Sequence, residues 1–142
     1  MTYLEWFQTH GEKHKSIMQK LSHLSEDEVI AYFRFDNMLI KEPDFCLLYQ
    51  THSKCHDNAT LNCYLCACPH FRFDDNGLSK VADKTLFSVC SINARQGSQY
   101  MNGTSIHQNC SSCFIPHTEA YIKKHFKREW FEIMAQDKIR ST

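Results

Sequence analysis

Apolar residues recur at helical spacing along the first part of the chain, where Ile17, Met18, Leu21 and Leu24 share one stripe. Gly11 is expected to interrupt or kink the stretch that carries Leu4 and Phe7. Ser25 and Glu28 have the spacing of a capping box, which predicts a second helix starting at Glu26 and presenting Val29, Ile30 and Phe33. Asp36 is placed to cap a further short turn through Leu39, and Pro43 ends regular structure. After Pro116 the pattern predicts one helix. Ile122, Phe126, Trp130 and Ile133 line one stripe, with Lys123, Lys124, Lys127 and Arg128 mostly on another face. Neither apolar stripe is long enough for a coiled coil, so the two are expected to pack together against one side of what lies between them. An exposed Trp130 would instead mark a surface for a partner.

The middle of the chain has little sustained apolar period. Leu86-Phe87-Ser88-Val89 reads as a short strand, and Phe71-Arg72-Phe73-Asp74-Asp75 as a half-buried one, while Asn76-Gly77 and Asn102-Gly103 mark turns. So few apolar groups do not offset the entropy of ordering such a segment, whereas metal coordination can. The expected fold is a small α+β or irregular, metal-stabilised domain. It divides into an N-terminal helical segment (1–43), a cysteine-rich module (44–117) and a C-terminal helix (118–142) packed on the module, all within one compact unit.

Composition narrows the partners. Among 142 residues, 16 Lys and Arg balance 16 Asp and Glu. A neutral chain lacks the field that draws a protein to duplex nucleic acid or an anionic membrane. The start of the chain has no basic stretch followed by an apolar one, and no run is long enough to cross a bilayer. A cytoplasmic protein is therefore expected, in which thiols stay reduced. The triplets at Asn58, Asn102 and Asn109 then match a glycosylation pattern by chance.

All eight cysteines fall between Cys46 and Cys113, in the order Cys46, Cys55, Cys63, Cys66, Cys68, Cys90, Cys110, Cys113. Buried small hydrophobes would be scattered; these are crowded, and Cys63/Cys66 and Cys110/Cys113 form C-x2-C pairs. A two-residue gap in a tight turn brings both sulfurs to one centre and leaves backbone amides free to donate to them. Eight sulfurs suit two four-ligand zinc sites, or two cubane iron–sulfur clusters, better than one ion. Sequence order divides them into Cys46, Cys55, Cys63 and Cys66, and Cys68, Cys90, Cys110 and Cys113, although neighbouring ions can interleave their ligands. His56 and His117 are candidates to ligate a metal or to buttress a ligand. His52, His70 and His107 lie nearby, and His10, His14, His23 and His125 read as ordinary helix residues. No catalytic triad or phosphate loop is recognisable.

Cys55-His56, the run Asn62-Cys63-Tyr64-Leu65-Cys66-Ala67-Cys68-Pro69, Cys90, and Asn109-Cys110-Ser111-Ser112-Cys113-Phe114-Ile115-Pro116-His117 together resemble the prokaryotic cysteine-rich small domain, a zinc-finger-like family. The resemblance covers roughly residues 44 to 125. It implies a metal-binding module and marks Cys55, His56 and His117 as family positions. Some family members are joined to, or sit beside, cobalamin-salvage functions. The gap from Cys46 to Cys55 is longer than in the shortest members, and the N-terminal helical segment is an extension found in a subset.

Three function classes follow. The first is a cytoplasmic protein with structural zinc sites that shape a surface for a protein partner, since thiolate-dominated coordination suits zinc and closes the site to substrate. The second is an iron–sulfur protein in electron transfer or cofactor assembly. The third, a nucleic-acid-binding zinc module, is opposed by the neutral charge. No enzymatic activity is indicated, and the oligomeric state is not set by the sequence.

Overall fold

The computed structural model describes residues 2–134 and shows a small mixed α+β protein. Helix α1 (Tyr3–Lys20) begins with a capping box in which Thr2 Oγ1 accepts from Glu5 N (3.1 Å) and Glu5 Oε2 accepts from Thr2 N (3.0 Å). Asp75 reinforces that end from the distant strand module, accepting from Tyr3 N (3.2 Å) and Leu4 N (3.3 Å). Gly11 does not break α1, contrary to expectation. It lies on the buried face, and a Cβ there would sit 2.1 Å from the Phe131 ring. The glycine provides room for an aromatic ring rather than a bend.

Helix α2 (Glu26–Tyr32) starts where its capping box predicts, with Ser25 and Glu28 bonded reciprocally. Helix α3 (Phe35–Lys41) differs from the expected Asp36 cap: Arg34 is its N-cap, and Asp36 lies inside the first turn. A 3₁₀ turn, Leu47–Thr51, follows.

Six short strands occupy the middle, more than its weak periodicity indicates. Strands β1 (Phe71–Phe73) and β4 (Ser88–Cys90) pair antiparallel, with Phe71 opposite Cys90. Strands β2 (Ser79–Val81), β3 (Lys84–Leu86), β5 (Ser98–Asn102) and β6 (Ser105–Asn109) form a second sheet in the order β2-β3-β6-β5, with β3 and β6 parallel. Phe87 alone separates β3 from β4, so one stretch of chain turns the corner between the sheets. It is pinned by Phe87 N to Ile106 O (2.8 Å) and Asp74 N to Phe87 O (3.0 Å). The two predicted turns carry Gly77 and Gly103 at φ of 103° and 62°.

The tail is not one helix. A 3₁₀ turn (Ile115–His117) leads into α4 (Glu119–His125), and the chain breaks at Phe126 before α5 (Trp130–Met134). The rest of the predicted tail helix lies outside the described residues. Trp130 is buried against Phe7 (5.0 Å between ring centres), so α1 and α5 meet in one core together with α2, α3 and α4. Cys63, Tyr64 and Leu65 belong to the same cluster, which joins the helices to the cysteine-rich module. Among the described residues, no helix is long and apolar enough to cross a membrane.

Candidate metal centre

The segment Leu61–Leu65 is buried throughout and connects the helical core to the cysteines. Phe35 N donates to Leu61 O (3.0 Å) and Cys63 N to Phe33 O (2.8 Å). Asn62, fully buried, donates from Nδ2 to Ile30 O (2.7 Å) and to Glu119 (3.0 Å), and its Oδ1 accepts from Tyr64 N (2.9 Å). Every polar atom of this buried amide is thus engaged, which holds the following Cys63-x2-Cys66 turn in place.

Asn62 also reaches forward to the site. Its carbonyl oxygen accepts from His117 Nδ1 (2.9 Å), and its N–H donates to His117 O (3.1 Å). A carbonyl can only accept, so Nδ1 carries the proton and the Nε2 lone pair is free. That lone pair faces Cys55 Sγ at 3.7 Å. His56 repeats the arrangement from the other side. Its Nε2 is bonded to Cys110 O (2.8 Å), which leaves Nδ1 directed at Cys55 Sγ, 3.0 Å away. Cys55, His56 and His117 bring their ligand atoms within 4.8 Å of one another. Each imidazole is thereby set in the tautomer that donates to a metal, by a carbonyl acting behind it.

Burial keeps His117 neutral. Its pKa falls to about 4, mainly through desolvation and further through His56, against the bond to Asn62. Burial pushes the Cys55 thiol up to about 11, with Cys46 adding to the rise. Cys63 rises to about 12, again through burial first, and Cys66 rises well above its ordinary value through burial and then Cys63, Cys55 and Cys46. Cys46, Cys55, Cys63 and Cys66 thus influence one another electrostatically. Ionisation of Cys55, Cys63 and Cys66 is unfavourable in these buried surroundings.

The remaining thiols open onto one cleft of ≈ 260 Å³. Cys68, Cys90, Cys110 and Cys113 line it, and so do Cys55 and Cys66, so it takes in thiols from both sequence-order groups. Cys46 and Cys63 are not on its wall. The buried Tyr49 hydroxyl makes no well-formed hydrogen bond, but it is close enough to the Cys63 sulfur for the two to perturb each other's ionisation. Both C-x2-C segments form tight turns, closed by Cys66 N to Cys63 O (3.3 Å) and Cys113 N to Cys110 O (3.0 Å). Backbone amides point at sulfur as expected: Ala67 N–H at Cys66, His70 N at Cys68 Sγ (3.4 Å) and Ala94 N at Cys90 Sγ (3.5 Å). Ala67 and Cys68 are held at φ of 88° and 62°, a left-handed pair that non-glycine residues adopt only when their surroundings impose it. All eight cysteines are free thiols.

The other histidines are elsewhere. His70 Nε2 meets Tyr121 Oη (2.6 Å) on the cleft wall, His107 stacks on Phe87, and His52 ends the 3₁₀ turn Leu47–Thr51 in a left-handed conformation. His10 and His14 are buried on α1, which sequence reasoning missed; their i, i+4 spacing on the apolar stripe was the available signal. It also missed Asn62, Tyr3 and Trp6, the last two forming cleft wall.

Comparison with protein-family models, with curated proteins and with solved structures yields no match to this chain.

Proposed function

We propose that this chain is a metal-binding protein of a reducing, cytoplasmic setting, with a zinc ion held at Cys55, His56 and His117. One observation carries the reading: two imidazoles, each donating its far N–H to a backbone carbonyl, direct their lone pairs at one thiol. That donor set, soft sulfur with imidazole, suits zinc. Cys113 is buried on the wall of the same cleft and offers the kind of donor a fourth position needs, and four-coordination by protein ligands would make the centre structural. The metal then supports the module spanning 44–117 and shapes a surface for a protein partner. The neutral chain, made more acidic by ionised thiols, does not favour nucleic acid. The motif likeness to the cysteine-rich small domain supports the same reading.

The test is metal analysis of the purified full chain beside His117→Ala. The wild type is expected to hold zinc at one equivalent or more, and the variant to lose one equivalent. A zinc-free wild type, or a variant with unchanged zinc, overturns the reading.

A further inference from the structure

A second cleft, of ≈ 340 Å³, lies between the stretch 69–72 and the junction of α4 with α5. Its wall carries three permanent cations, Arg72, Lys124 and Lys127, and one carboxylate, Glu132. None of these cations is in an ion pair among the described residues, although the chain as a whole is neutral. A solvated helix face accounts for Lys124 alone. Its neighbour Lys123 is satisfied instead by Asp27 (3.2 Å). Arg72 comes from β1 and Lys127 from the break after α4, so three separate pieces of chain bring positive charge to one concavity. A concave wall of one sign focuses its field and raises the local concentration of an oppositely charged ligand.

The wall is held in place before any ligand arrives. Arg72 Nη1 donates to the carbonyls of Pro69 (2.6 Å) and Phe71 (3.3 Å), which fixes the guanidinium plane and leaves Nε and Nη2 for a ligand. The Lys127 carbonyl accepts from Tyr64 Oη (2.5 Å), which ties the break to the buried core. Tyr121 is fixed by the bond between its hydroxyl and His70 Nε2 (2.6 Å), and it packs against the His125 ring at 4.3 Å between centres. Phe126, stacked on Tyr64, completes an aromatic side. A guanidinium fork with two ammonium groups exceeds what one carboxylate needs and matches the dianionic, three-oxygen end of a phosphate monoester. The rings beside it suit a planar group on the other side of the ester.

We propose that this cleft binds a small phosphate monoester carrying a planar ring, with Arg72, Lys124 and Lys127 on the phosphate and Tyr121 beside the ring. The site is separate from the Cys55–His56–His117 centre and does not depend on the metal-binding reading.

The full chain, isotopically labelled for nuclear magnetic resonance, is titrated at fixed ionic strength with phenyl phosphate, glycerol phosphate and phenol. Phenyl phosphate is expected to give saturable amide shifts at Arg72, Lys124 and Lys127 and to bind roughly threefold tighter than glycerol phosphate, with no shifts from phenol. The double variant Lys124→Ala, Lys127→Ala, at two exposed positions, should weaken phenyl phosphate roughly tenfold and keep the metal content of the wild type. Arg72→Lys, which keeps the charge and loses the fork, should weaken it severalfold. Shifts that do not saturate, or that fall elsewhere on the molecule, overturn the proposal. Affinity unchanged in either variant overturns the placement of the phosphate. Glycerol phosphate binding as tightly as phenyl phosphate overturns the ring contact. A single-stranded oligonucleotide or phosphatidic acid vesicles binding at these residues, with no response to phenyl phosphate, would give the cleft to a larger partner and overturn the small ligand.

Discussion

The helical side of the molecule and its strand side differ in how many apolar side chains they bury. On the helical side, Val29, Phe33, Met38, Tyr64, Leu65, Ile122 and Met134 are fully buried in one cluster. Between Cys68 and Asn109, only Phe73 and Ile106 among the hydrophobic side chains are buried, and β2 and β5 are exposed along their whole lengths. Burying two such side chains contributes about 3–6 kcal/mol, while ordering that stretch costs ~1–2 kcal/mol for every residue in it. Strand pairing offsets part of this, and under the metal-binding reading proposed above a metal held at the thiol-lined cleft adds to it. On that reading, the helices rest on apolar contact and the strands on what the cysteines bind.

Removing metal should break the two sides apart most clearly. Metal binding contributes ~10–16 kcal/mol to the folding of small zinc modules. A strong chelator, or Cys66→Ser, should therefore expose the Cys68–Asn109 stretch to protease while α1 to α3 stay protected. A buried thiol that binds nothing would cost only about 1–3 kcal/mol on the same change. Limited proteolysis read by mass decides; demonstrably metal-free protein that resists cleavage there would erase the contrast.

Trp130→Ala tests the other side. It empties a core position between α1 and α5, at an expected cost of ~3–5 kcal/mol in urea unfolding. Bound metal should be retained under native conditions, and its loss would show that the two sides are not separable.

Acid should weaken the helical core in a narrow window. Burial lowers His10 to about 4 and His14 to about 3, with Lys13 adding to the first and His10 to the second. The unfolded chain then binds protons that the folded chain refuses. Stability is complete above the ordinary histidine pKa of ~6.5 and is lost as pH falls toward the folded values, at about 1.4 kcal/mol per pH unit for each histidine. The measurement is unfolding at pH 7, 6 and 5 in wild type and His14→Phe. An equal pH slope in the two proteins would remove His14 from the account.

The smallest effect is expected at Gly11. An added methyl group meets the Phe131 ring, so Gly11→Ala should cost about 1–3 kcal/mol through overpacking, although alanine is the better helix former. Phe131→Leu in that background should recover part of the loss. If Gly11→Ala stabilises the protein, the glycine is not there for the ring.

Legibility followed locality. The α2 start was readable because Ser25 and Glu28 are three residues apart and act on each other. The crowding of cysteines and their tight C-x2-C turns were readable from spacing, and the motif singled out Cys55, His56 and His117, which the fold brings within 4.8 Å of one another. The Arg34 cap and the break at Phe126 were not. Asp36 is a better capping residue than Arg34, but Leu61 accepts from Phe35 N and sets where α3 begins. The tail stripe runs on through Phe126, yet the break lets that ring stack on Tyr64 (5.0 Å) while Trp130 reaches α1. Tertiary contacts outweighed local preference in both places. Four of the six strands are three residues long, too short to show a period of two.

The sequence by itself determined the inventory: which residues carry soft donors, that eight thiols crowd one segment, and that apolar stripes flank it. Side-chain chemistry and spacing are properties of the chain. Only the tertiary structure decided which donors face each other. Cys55 and His117 lie far apart in the sequence, and Asn62, whose main-chain carbonyl orients His117, is held through its side-chain amide by Ile30 of α2 and Glu119 of α4. A lone pair's direction depends on the hydrogen bond behind it, and that bond exists only once the chain has closed on itself.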